Sequence, residues 1–151
     1  MFVSRVFTEP HTFTGGVEGP ACDRDGNLYA VNYARQHTIG KVTPEGVCSV
    51  FLTLPGGSVG NGICFNRAGE MFVADYVNHT IFKVELKTKT LSVHAYEPRM
   101  NQPNDLAVAA DGTLYASDPD WHSGTGQLWR MYRPRRQGDV VGSRYGHHQR
   151  H

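Results

Sequence analysis

Oxygen-bearing side chains recur at a fixed interval along this chain, and they are the first candidates for chemistry. Glu18, Asn61 and Asn104 follow one another at intervals of 43 residues. A second set lies 14 residues further on in each unit: Asn32, Asp75 and Asp118. Carboxylate and amide oxygens with few charges suit Ca²⁺ or Mg²⁺ better than Zn²⁺, which prefers nitrogen and sulfur. The spacing therefore predicts a hard-cation site, provided that the fold brings the repeated positions together.

The segments that carry these residues align without gaps and read as β-strands. They are EGPACDRDGNLYAVNY (18–33), NGICFNRAGEMFVADY (61–76) and NDLAVAADGTLYASDP (104–119). In each, a short apolar run leads to a turn glycine and then to an alternating run, which is typical of a hairpin. Third strands are predicted at 39–42, 80–84 and 127–131, and fourth strands at 48–52 and 91–95. Four short strands per repeat predict the blades of an all-β propeller.

The number of repeats predicts only part of a ring. Propellers need about four to eight blades, and the repeats supply about three. Residues 2–8 (FVSRVFT) resemble an outer strand, and an N-terminal strand often completes the last blade of a propeller and removes its open edge. We therefore expect residues 1–131 to form the N-terminal half of a β-propeller, and the chain to be truncated.

Strand direction predicts where the repeated side chains meet. The first strand of a blade lines the channel, so Glu18, Asn61 and Asn104 should ring one mouth, and the second strand returns Asn32, Asp75 and Asp118 to that face. The alternative is that Asn and Asp at strand ends bond nearby backbone, which is favoured for the two aspartates. Metal ligation is favoured for Glu18, which breaks the Asn pattern, and for Asn104. For Asn61 a substrate contact and a structural role stay open.

Composition and charge indicate which classes of binding partner and which cellular location to expect. The net charge of +1 combines an acidic body, residues 1–129, with a basic end, so nucleic acid is not an expected partner. No apolar run of about 20 residues predicts a membrane span, and no signal peptide is readable at the start. The three cysteines lack metal spacing and are predicted to be small buried residues in a reducing compartment, which favours a cytoplasmic location.

Three stretches resemble the family of gluconolactonases and senescence-marker proteins (regucalcin-like, LRE-like), which are six-bladed propellers. They are EGPACDRDGNLY, NGICFNRAGEMFVAD and QPNDLAVAADGTLYASDP, and the resemblance spans about residues 15–131. It implies that Glu18 is a metal ligand and that Asn104 binds metal, substrate or metal-bound water. Asn61, Asp118 and Trp121 are the expected substrate contacts, with the loop 118–122 as a wall of the pocket or an ordinary connection.

The activity that this resemblance implies is metal-assisted hydrolysis of a sugar-type lactone, with a divalent cation, usually Ca²⁺, as Lewis acid. The family takes a further carboxylate and a further Asn ligand from later blades, which this sequence lacks. Cation binding is therefore expected to be weak, and hydrolysis impaired.

Other functions stay open. The stretch GEMFVADYVNHTIFKV (69–84) also resembles an NHL repeat, and such propellers bind protein or RNA without catalysis. The acidic body disfavours RNA, and the motifs around Glu18 and Asn104 favour the lactonases. Two further alternatives are that the chain is inactive on its own, or that it forms a homodimer. A homodimer would complete the ring, since two three-blade halves make six blades.

Residues 132–151 form a basic tail outside the family pattern, and we advance the hypothesis that a one-base frameshift in the gene produced it. Residues 145–151 have a codon choice that, read one base later, encodes MGTTNG, which resembles the next ligand motif of the family. Residues 132–138 similarly become TDRDGRA, which restores an Asp-Gly turn. We expect the gene, read one base on from about codon 131, to encode three further blades. A shifted frame that stops early in the genomic sequence would contradict this.

Overall fold

The computed structural model describes residues 1–133, which form eleven β-strands in three antiparallel sheets. Blade 1 contains β1 (Ala21–Cys22), β2 (Leu28–Val31), β3 (Thr38–Val42) and β4 (Cys48–Thr53). Blade 2 contains β5 (Gly60–Phe65), β6 (Met71–Asp75), β7 (Thr80–Glu85) and β8 (Thr90–Tyr96). Blade 3 contains β9 (Leu106–Val108), β10 (Leu114–Asp120) and β11 (Thr125–Met131). Within each blade, strands that follow one another in sequence are neighbours in the sheet.

The turn between the first two strands has the same conformation in every blade. The φ angles are 80°, 83° and 85° at the turn glycines Gly26, Gly69 and Gly112, a left-handed region that glycine adopts without steric cost. In blade 1 the Asp23 carboxylate accepts hydrogen bonds from the backbone N–H of Asp25 and Asn27, both at 2.9 Å. The side-chain oxygen of Asn66 has this role in blade 2. The hairpins predicted from the sequence are therefore present.

Strand alternation makes blade 2 the centre of the apolar core. Successive side chains of a strand point to opposite faces, so Met71 and Val73 of β6 pack toward blade 1, and Phe72 and Ala74 pack toward blade 3. All five residues of β6 are buried, because both faces of this strand are covered by apolar side chains. Full burial of each large apolar side chain contributes about 1.5–3 kcal/mol, so the blades stabilise one another through these faces.

Two glycines let neighbouring blades meet backbone to backbone at the inner strands. A Cβ on Gly62 would lie 2.8 Å from Asp105 Cα and 3.0 Å from Leu106 N, and it would also collide with the Asn104 carbonyl oxygen. That carbonyl accepts a hydrogen bond from Gly62 N at 2.8 Å. Gly19, 43 residues earlier, lies in the same way against the Asn61 carbonyl of blade 2. The contact between blades is thus part of the repeat.

Two sequence-based expectations are wrong. Residues 2–8 were expected to form an outer strand, but no strand is present there and their backbone pairs with none of the described residues. The cysteines lie in strands but are not fully buried, since Cys22 is exposed and Cys48 and Cys64 are half-buried. Partial burial raises the pKa of the Cys64 thiol to about 11.

The last described strand lies near the end of the described residues. Strand β11 ends at Met131, which is the end of the predicted propeller segment. The frameshift hypothesis and most of the basic tail concern residues 134–151, which lie outside the described residues, and they stay predictions. Across residues 1–133, no helix is long and apolar enough to cross a membrane.

Replacing Gly62 with alanine is expected to destabilise the protein. The added methyl group would push blade 3 away from blade 2 and weaken the hydrogen bond to Asn104, and such overpacking costs about 1–3 kcal/mol. Gly15→Ala is the matched control, because a Cβ there meets no atom within 4 Å. Urea unfolding followed by circular dichroism measures both variants. Equal stability of Gly62→Ala and Gly15→Ala would contradict the account.

Candidate functional site

The structure brings the three repeated residues of the inner strands to one opening. Glu18, Asn61 and Asn104 line a cleft of about 270 Å³ at the end of the molecule where the inner strands begin. Asn32, Tyr76 and Trp121 are also among its lining residues. The sequence prediction that oxygen-bearing side chains of successive blades share one mouth is therefore met by one residue from each blade.

Glu18 reaches the cleft from a segment that is held by its backbone. The Glu18 carbonyl accepts a hydrogen bond from Val31 N of β2 at 3.1 Å, and Gly19 packs directly against blade 2. The Glu18 side chain itself is exposed. The backbone of Glu18 is thus fixed, while its carboxylate stays accessible to a ligand. This carboxylate is the one charged group that the described residues bring to the cleft. One carboxylate among neutral amides favours a cation over an anion.

Asn61 lies in a β-bulge. Between the pairs Gly60↔Asp75 and Ile63↔Val73, strand β5 has one residue more than β6. A bulge of this kind changes the direction of a side chain and is frequent beside active sites. The Asn61 side chain is only 8% exposed, and its Oδ1 accepts no hydrogen bond from any described residue. A buried acceptor without a partner costs about 1–3 kcal/mol, so this oxygen is available for a ligand.

Asn104 is fixed between two blades. Its N–H donates to the Ser117 carbonyl of β10 at 2.8 Å, and its own carbonyl accepts from Gly62 N of blade 2. Its side chain is half-buried and faces the same cleft as Glu18. The two residues that the family resemblance implies as metal ligands therefore share one site.

Two members of the second repeated set, Asp75 and Asp118, bind nearby N–H groups. The Asp75 carboxylate accepts hydrogen bonds from the N–H groups of Val59 (3.2 Å) and Val77 (3.1 Å). The Asp118 carboxylate accepts from the N–H of Gln102 (2.6 Å) and from Trp129 Nε1 (2.8 Å). These contacts match the backbone-shaping alternative of the sequence analysis. Asp118, expected as a substrate contact, lines a different cleft beside His79 and Arg99.

Asn32 occupies the same repeat position as these aspartates but is bonded differently. Its Nδ2 donates to the Gly16 carbonyl at 2.7 Å, whereas the corresponding aspartates accept from backbone N–H groups. This donation fixes the orientation of the amide, and it leaves Oδ1 buried with no partner among the described residues. The side chain is 5% exposed and lines the cleft. The site thus holds two buried amide oxygens, those of Asn32 and Asn61, with unused acceptor capacity.

Aromatic side chains border the cleft. Trp121 follows β10 directly and is 74% exposed, so its ring is free to cover the apolar face of a ligand, as the expected wall of the pocket requires. Tyr76 and Gln102 also line the cleft and were missed by the sequence analysis. Tyr76 follows the repeated Asp75 and Gln102 precedes the motif around Asn104, so their repeat positions are the signal that would have found them.

The donor set is rich in amides. Across residues 1–133, no group of three His, Cys, Asp or Glu side chains is arranged to hold a metal ion. Any cation in the cleft would depend on Glu18 together with the amide oxygens of Asn61 and Asn104. Such donors fit a hard ion that accepts neutral oxygen ligands, as Ca²⁺ does.

The fold and the site together define a propeller-type protein with an oxygen-lined cleft at the mouth of its inner strands. A gluconolactonase from Zymomonas mobilis is 30% identical over 118 residues, which cover 69% of this chain and 33% of that protein. The chain thus spans about a third of the length of this curated relative. No family model matches the chain.

Solved structures give the same fold. A gluconolactonase from Xanthomonas campestris superimposes with a TM-score of 0.67 at 19% identity, covering 80% of this chain and 45% of that one. Regucalcin from Agrobacterium tumefaciens, a calcium-binding protein, gives 0.59 at 16% identity, covering 70% and 39%. These matches confirm the all-β propeller architecture and the resemblance to gluconolactonases that the sequence predicts.

Replacing Asn61 with leucine is expected to stabilise the ligand-free protein. The substitution removes a buried oxygen that has no partner among the described residues and keeps a side chain of similar size, for a gain of about 1 kcal/mol. Asn66→Leu is the matched control and should lose stability, because Asn66 Oδ1 accepts two backbone hydrogen bonds. Urea unfolding compares the two. Destabilisation of Asn61→Leu as large as that of Asn66→Leu would show that Asn61 is structural.

Proposed function

We propose that this chain contributes the cation-binding face of a metal-dependent hydrolase that opens a sugar-type lactone. One observation carries the proposal: Glu18, Asn61 and Asn104, from three successive blades, line a single cleft. Similarity to a gluconolactonase over 118 residues supports the reaction class.

The donor set suits Ca²⁺ as the metal. Glu18 and Asn104 would hold the ion, and the unpartnered Oδ1 of Asn61 lies in the same cleft. A bound Ca²⁺ would supply Lewis-acid polarisation of the lactone carbonyl. Because Ca²⁺ takes about six to eight oxygen ligands, affinity is weak when this chain supplies them alone. Weak binding of the cation in turn limits hydrolysis.

The remaining residues of the cleft position the substrate. Asn61 contacts it through the amide, while the exposed ring of Trp121 covers one face of the lactone. Asp118 acts indirectly, since its carboxylate fixes the backbone of Gln102, and Gln102 borders the cleft. Asp118 is therefore a positioning residue, and the substrate contact expected of it passes to Gln102.

Calcium binding tests the role of Glu18. Glu18→Gln removes the one carboxylate that the described residues bring to the cleft, so the heat of Ca²⁺ binding in a calorimetric titration should disappear. Glu45→Gln, which changes an exposed glutamate in another turn, is the matched control and should bind as the unchanged chain does. Unaltered binding by Glu18→Gln would refute the assignment, and tight binding by the unchanged chain would refute the predicted weakness.

Hydrolysis of D-glucono-1,5-lactone tests the reaction itself. We expect slow turnover that needs Ca²⁺ and falls at least about 100-fold in EDTA, since Lewis-acid stabilisation contributes several kcal/mol. Turnover that is the same with Ca²⁺ and with EDTA would contradict metal dependence. A chain that binds Ca²⁺ and hydrolyses no lactone would instead support the alternative of a non-enzymatic binding module.

A further inference from the structure

Among the described residues, strand β11 is an open edge of blade 3. Blades 1 and 2 have four strands each, whereas the described residues give blade 3 only three, in the order β9, β10, β11. The outer side of β11 pairs with no strand among residues 1–133, and most of its residues are exposed. The unpaired N–H and C=O groups of such an edge form a template for one more strand.

One face of blade 3 is also left uncovered by the part of the chain that the structure describes. Tyr115 of β10 stands opposite Ala107 on this face, and Leu128 of β11 stands opposite Ser117, two residues after Tyr115. Leu128 is 80% exposed and Tyr115 is 38% exposed. By contrast, all five residues of β6 in blade 2 are buried. Within residues 1–133, blade 3 therefore has an unpaired edge and an uncovered apolar face beside each other.

The N-terminal segment, residues 2–8, has the properties of a strand without a sheet. Val3 and Val6 are 97% and 86% exposed, and Phe2 is fully exposed. β-Branched and aromatic residues of this kind are the ones that favour strands. The segment makes no backbone or side-chain hydrogen bond to any other described residue. Within residues 1–133, its backbone groups are thus left without a strand to pair with.

We propose that residues 2–8 of one copy add to β11 of a second copy as a fourth strand of blade 3, and that the exchange is reciprocal. Addition of an extended segment to a sheet edge is a common mode of recognition, with main-chain hydrogen bonds providing the affinity. Two exchanged strands follow a two-fold axis, the commonest symmetry of dimers.

Length supports the second copy as occupant. Four-fifths of this chain covers 45% of the chain of the Xanthomonas gluconolactonase, so two sets of the described blades would supply about one ring. Closing that ring sets the free face of blade 3 against blade 1 of the partner and covers Leu128 and Tyr115. The exchange needs neither Ca²⁺ nor lactone, so its test is independent of the test of the hydrolase proposed above.

Light scattering after size exclusion tests the exchange. The full chain should have twice the mass of one copy, in Ca²⁺ and in EDTA alike. Val3→Asp combined with Val6→Asp should give a single-copy mass while keeping its thermal unfolding transition. The matched control, Val77→Asp with Val93→Asp, places the same charges on exposed valines of blade 2 and should stay a dimer.

Two outcomes would overturn the proposal. The first is a single-copy mass for the unchanged chain at the highest soluble concentration. The second is a dimer that survives Val3→Asp with Val6→Asp but is lost when residues 134–151 are deleted, since that result would make the C-terminal end the occupant of the edge. Deletion of residues 134–151 is expected to leave the dimer intact.

Discussion

The arrangement of this protein depends on the contact between a glycine of one blade and a backbone carbonyl of the next. Gly19 lies against the carbonyl of Asn61, and Gly62 lies against that of Asn104. A side chain at either glycine would force the inner strands apart, so the contact sets the distance between blades. Because Glu18, Asn61 and Asn104 are next to these contacts in sequence, the same constraint that packs the blades brings the three side chains to one cleft.

The repeat position occupied by Asn32, Asp75 and Asp118 has a structural role in two blades and is available for binding in the other. Asp75 and Asp118 use their carboxylates on backbone N–H groups and on Trp129. Asn32 instead donates to the Gly16 carbonyl and keeps a buried oxygen without a partner among the described residues. Together with Asn61, it leaves unsatisfied acceptors at the cleft, and such groups lower the stability of the folded chain in exchange for binding capacity.

Much of the fold follows from the period of the sequence. The turn glycines, the third and fourth strands and the shared mouth of Glu18, Asn61 and Asn104 are local or repeated features, and the structure has them. The bulge that directs Asn61 and the reversed hydrogen bond of Asn32 arise from contacts between segments, which a strand pattern does not encode. Residues 2–8 have the composition of a strand, but a strand needs an edge to pair with, and within this chain they pair with none of the described residues.

A crystal structure of the chain grown in Ca²⁺ tests the central claim most directly, namely that contact between blades builds a cation site from successive repeats. The account predicts an ion in the cleft at about 2.3–2.6 Å from oxygens of Glu18 and Asn104, with the Asn61 amide turned toward it. An ion bound elsewhere, with the cleft oxygens too far apart to share one ligand, would contradict it.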